Sequence, residues 1–137
     1  MERKRCFNIL LILCAISYGV SSIFYLVDDY DLWRNCNGGS NLWSYVLVSL
    51  CLLGNKKNLI MDQDDKLYVF FYCSLIEIGL ACWGGIELFD KIDLCTDLKG
   101  SGLYNMGIIS FVHQLLIGGF SIIISLVVMV LNCFSNY

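Results

Sequence analysis

Four apolar runs separated by short polar segments constrain this chain more than any other feature: residues 6–27, 41–58, 66–89 and 106–133. A helix that crosses a bilayer needs about 20 consecutive, mostly apolar residues. A soluble fold of this size would have to hide all four runs from water at once. The composition points the same way, with 58% hydrophobic and 15% charged residues and a mean hydropathy of +0.68. Soluble domains sit near 45–50% and about 25%. Proline is absent, so nothing breaks the runs, and 12 glycines allow close helix approach. A net charge of −3 with clustered acids lacks the basic face that nucleic acid requires. The expectation is a single all-α membrane domain over residues 1–137, an integral membrane four-helix bundle in contact with the lipid bilayer.

The runs are unequal. The first follows the basic residues Arg3, Lys4 and Arg5. A cleaved signal peptide also starts this way, and Ser21 and Ser22 offer a small-residue cleavage site. The run exceeds the usual signal core in length, which favours a helix that stays in the membrane. The second run is the weakest, about 14 residues from Asn41 to the glycine at 54, below the roughly 17 normally required. Lys56 and Lys57 can snorkel and extend it toward Met61; a re-entrant or interfacial hairpin is the alternative. The third run carries Glu77 near its middle and Glu87 near its end, and the fourth is strongly apolar throughout.

Lysine and arginine set orientation. With both termini inside (N-in/C-in), cytoplasmic segments hold Arg3, Lys4, Arg5, Lys56, Lys57 and Lys66, against Arg34, Lys91 and Lys99 outside. Trp33, Trp43 and Tyr104 then fall near the outer boundary and Phe7, Tyr68 and Phe134 near the inner one, as interfacial aromatics do. The location is a plasma membrane or endomembrane. Of eight cysteines, Cys36 and Cys95 alone lie outside the apolar runs, both in outer segments. On an oxidising face they are candidates for a disulfide. Cys6 and Cys133, at the cytoplasmic edge, are palmitoylation candidates. The others serve as small apolar fillers.

Polar residues inside the runs form stripes at helical spacing. Gly107, Gln114, Gly118, Ser121, Ser125 and Asn132 share one face of the fourth run; Asn8, Ala15, Gly19 and Ser22 share one in the first. Ser74, Ala81 and Gly84 lie on a broad face of the third with Glu77. Close helix packing alone explains them. Glu77 demands more, because a charge at mid-membrane costs roughly 2.5–3.5 kcal/mol. At 1.5 Å rise, Glu77 lies about 18 Å below the outer end of its helix and His113 about 10 Å below. A neutral Glu77 bonded to Gln114 is one expectation; a titratable line of Glu77, His113 and Glu87 is the other.

The acids Asp28, Asp29, Asp31, Asp90, Asp93 and Asp97 crowd the outer segments without calcium-loop spacing. Asp62, Asp64 and Asp65 read as a solvated loop. No phosphate loop, nucleophile elbow, zinc spacing or catalytic triad order occurs, so no enzyme, metal or cofactor is expected. Cys36 followed by Leu42, Trp43, Ser44 and Tyr45, and Cys82, Trp83, Gly84 and Gly85 followed by Cys95, Leu103 and Tyr104, resemble a layout of small, mostly uncharacterised four-span membrane proteins. That resemblance implies four spans and no activity. The tryptophan-rich first-loop motif of claudins and the Cys-Cys-Gly motif of tetraspanins are missing. Two functions are expected: a scaffold or accessory protein that organises other membrane proteins or self-associates, or a small oligomeric channel or proton conductor using Glu77 and His113.

Overall fold

The computed structural model describes residues 2–36, 39–59 and 66–135, with side chains over 5–36, 39–52 and 68–135. Asp62, Asp64 and Asp65 lie outside the described residues, as do the side chains of Arg3, Lys4, Lys56, Lys57 and Lys66. Among the described residues every regular element is helical: α1 (Glu2–Asp28), α2 (Tyr30–Asn35), α3 (Leu42–Leu59), α4 (Lys66–Gly85) and α5 (Gly102–Ser135). A π turn (Ile86–Asp90) and two 3-10 turns (Lys91–Leu94 and Thr96–Leu98) connect α4 to α5.

Three stretches are long and apolar enough to cross a membrane: Arg5–Asp28, Tyr68–Leu94 and Gly102–Ser135. The fold buries only 11%, 17% and 22% of their most apolar windows. Helices this apolar would turn their faces inward in water. Here Phe7, Leu10 and Ile16 of α1, Ile76 of α4, and Phe120 and Ile124 of α5 all point outward. Such continuous exposed apolar surface belongs against lipid. The apolar part of α3, Leu42–Leu52, is shorter than the other three. It is nonetheless packed inward, with Leu42, Tyr45, Val46 and Ser49 buried.

Contacts along the helices fix their directions. Tyr18 bonds Ser110 while Tyr25 covers Gly102, so α1 and α5 run antiparallel. Leu42 abuts Gly107, and seven residues further along both helices Ser49 bonds Gln114, so α3 and α5 run parallel. Gly118 lies against Ile78 and Gly107 against Leu88, making α4 antiparallel to α5. The segments 29–36, 39–41 and 86–101 therefore meet at one end. The core lies there, built on Leu26, Leu42, Tyr45, Leu88, Ile92 and Leu103. At the opposite end α1 leaves the bundle, and residues 5–17 are exposed.

The polar stripes divide accordingly. Gly107, Gln114, Gly118, Ser121 and Ser125 are buried on α5, and Asn132 is exposed beyond the packed region. Ser22 is buried on α1, whereas Asn8 and Ala15 are exposed where that helix splays. Ser74, Glu77, Ala81 and Gly84 face inward on α4. Gly84 is required by contact, since any Cβ there would overlap the Tyr45 ring.

The connections are more ordered than the expected polar loops. The first contains α2, and the third is a string of helical turns. Gly100, Ser101 and Gly102 lead into the start of α5. Gly100 takes φ +91°, which suits glycine, and Ser101 Oγ accepts the Tyr104 N–H at 3.2 Å as an N-cap. α5 thus begins four residues before the expected position.

Candidate functional site

Two polar constructions stand out, one at the packed end and one where α1 departs. The first is a cap over the core. A disulfide joins Cys36 and Cys95 across 59 residues, with Cα atoms 5.5 Å apart. Beside it Glu87 is fully buried and accepts four hydrogen bonds: Asn41 N–H at 2.7 Å, Lys91 Nζ at 2.9 Å, Trp83 Nε1 at 3.1 Å and Ser40 Oγ at 3.3 Å. A buried carboxylate is tolerable only with this degree of pairing. Glu87 therefore ties the end of α4 to the start of α3. It is out of contact with solvent, and ten residues of helix, about 15 Å, separate it from Glu77.

Asp29 completes the cap. It is buried, unlike the neighbouring Asp28 and Asp31, and its Oδ2 accepts the Leu103 N–H at 2.8 Å. A carboxylate at that position satisfies an otherwise orphaned donor and complements the helix dipole. Trp43 Nε1 donates to the Leu26 carbonyl at 2.7 Å, Trp33 Nε1 to the Ser40 carbonyl at 2.8 Å, and the two indoles stack with centroids 5.4 Å apart. Asp90, Asp93 and Asp97 remain exposed, Asp93 bridging to Lys99 at 3.3 Å.

The second construction is a cavity of about 460 Å³. Helical periodicity assembles its walls. Leu11, Cys14, Ala15 and Tyr18 of α1 follow the i, i+3, i+4, i+7 pattern, as do Cys73, Ile76, Glu77 and Leu80 of α4. Ile109, Ser110, His113 and Gln114 of α5, and Ser49 and Leu52 of α3, complete the lining. Glu77, His113 and Gln114 thus line one cavity, while Glu87 bonds within the cap.

Gln114 is held by α3. Its Oε1 accepts from Tyr45 Oη at 2.7 Å and its Nε2 donates to Ser49 Oγ at 2.8 Å. Ser110 Oγ donates to the Met106 carbonyl at 2.9 Å, which leaves Tyr18 to donate to Ser110. Glu77 is 9% exposed, and His113 lies on the more open side. Among the described residues no three His, Cys, Asp or Glu side chains gather in a metal-binding group. Toward the cap the core follows, where Leu42, Tyr45 and Leu88 have no exposed surface.

The bonding roles of Asp29, Ser40, Tyr45 and Trp83 escaped the sequence reading. Their partners come from other helices or segments, except for Trp83, which sits one helical turn before Glu87, a spacing visible in sequence. Cys6 and Cys133 are exposed at the end opposite the disulfide, where α1 starts and α5 finishes. Compared with protein-family models, with curated proteins and with solved structures, the chain matches none.

Proposed function

We propose that the chain is a multi-pass membrane protein of scaffold or accessory type, with four crossings and both termini cytoplasmic, that organises partners in a plasma membrane or endomembrane. The observation that carries this reading is the uncovered α1: an apolar helix whose residues 5–17 the rest of the fold leaves exposed. Its partners are lipid together with another membrane protein or a second copy. Alternating helix direction supports an even number of crossings, and the Lys and Arg distribution supports N-in/C-in. A disulfide at the capped end suits an oxidising, non-cytosolic face. Cys6 and Cys133, exposed at the other end, are accessible to palmitoylation there.

A photo-crosslinking residue at Leu10 or Ile12, activated in native membranes, tests the scaffold reading. Discrete protein-sized adducts at these positions, absent from a control site on the cap such as Asp93, are expected. Adducts to lipid alone would overturn it. The conductor reading draws on Glu77 and His113 lining one cavity. Against it for a single copy stands the apolar packing of Leu42, Tyr45 and Leu88, all fully buried at the capped end. Liposomes containing the chain are expected to show no proton flux above empty ones; flux abolished by Glu77→Gln would establish the conductor instead.

A further inference from the structure

We propose that the cavity between α1, α4 and α5 binds a neutral lipid whose single polar group is a hydroxyl, entering sideways from the bilayer; this rests on the membrane reading above. At about 460 Å³ the cavity is in the range of small-molecule sites, mostly apolar with a few convergent polar groups. The apolar walls suit a hydrocarbon body. The polar end suits a group that both donates and accepts, as a hydroxyl does. It would donate to the Glu77 carboxyl group and accept from a ring N–H of His113. A carboxyl group has several acceptor sites and an imidazole two ring nitrogens, so these contacts add to whatever else Glu77 and His113 engage. An anionic headgroup would bring a further charge beside the Glu77 carboxyl group at a depth where each charge is costly.

The route of entry follows from α1. Leu11, Cys14 and Ala15 line the cavity yet remain exposed, so the cavity opens along this helix toward its surroundings. Toward the cap lies the packed core. A ligand therefore reaches it from the side, where the surroundings are lipid.

The test uses the full chain in phosphatidylcholine vesicles with a long-chain alcohol carrying a mid-chain diazirine, its methyl ether and its primary amine. Illumination followed by peptide mapping locates the adducts. The proposal expects alcohol adducts concentrated in residues 11–18, 73–80 and 109–114, roughly tenfold above those of the ether, which cannot donate. Ala15→Phe, which fills the cavity, and Glu77→Leu, which removes the acceptor, should each abolish that excess. Both variants must retain the Cys36–Cys95 bond on non-reducing gels, and either one that does so carries the test. Adducts spread alike over the exposed helix faces for alcohol and ether, or unchanged in a folded variant, would overturn the proposal. So would a preference for the amine. A carbonate wash before illumination separates the two levels. Loss of the chain from the vesicles sinks the membrane reading and the pocket together, whereas retention with diffuse labelling sinks the pocket alone.

Discussion

Glu87 shows how a single residue joins three segments. Its carboxylate, itself out of contact with solvent, receives the first backbone N–H ahead of α3, an indole from the last turn of α4, and a lysine one turn onward. Glu87→Gln keeps the shape but aims an amide N–H at groups that are themselves donors. The expected loss is about 2 kcal/mol, within the range for a hydrogen bond to a charged group. Equilibrium unfolding by SDS in mixed micelles measures it, and an unmoved midpoint would contradict the role. Gly84→Ala acts by a different route, pushing a methyl group into the Tyr45 ring. Overpacking of this kind costs roughly 1–3 kcal/mol. The same measurement should show the loss, with Gly79→Ala as a milder control because nothing lies near a Cβ there.

At the scale of elements, stability concentrates where the first and third connections meet. A bond closing a 59-residue separation restricts the unfolded chain by up to about 4 kcal/mol on the chain-entropy account. Dithiothreitol is expected to lower the unfolding midpoint of the native chain and to leave the double variant Cys36→Ser/Cys95→Ser unmoved. Asp29→Ala removes the acceptor for Leu103 N–H and should cost about 1 kcal/mol, as lost helix caps do. Hydrogen exchange should then accelerate at residues 102–105 and stay unchanged on α4. These contacts also mark the limit of sequence reading. Cys36 and Cys95 were legible because they alone lie outside apolar runs, whereas the cavity that Glu77, His113 and Gln114 line depends on how α4 packs against α5, which no single run records. Asp29 was not, since the donor it satisfies is 74 residues away. Nor was the burial of Glu87, because a carboxylate near the end of an apolar run looks the same whether water or Asn41 surrounds it. The connections read as loops because their polarity hides α2 and the turns that follow α4.

Among the described residues, the strongly apolar helices α1, α4 and α5 pack around the shorter apolar part of α3, tight at the disulfide end and open where α1 departs. The long helices were legible from length and hydropathy alone. The inward packing of α3 was not, because its apolar part is short and its burial comes from Tyr45 and Ser49 engaging Gln114. The alternating directions predict that Glu2 and Ser135 share one face of the membrane while Asp93 lies on the other. Cysteines placed singly at these three positions, in a chain whose six free cysteines are replaced by serine, can be labelled in sealed vesicles with an impermeant maleimide. Positions 2 and 135 should react from the same side, and position 93 only from the opposite side. Reaction of 2 and 135 from opposite sides would contradict the four-crossing account.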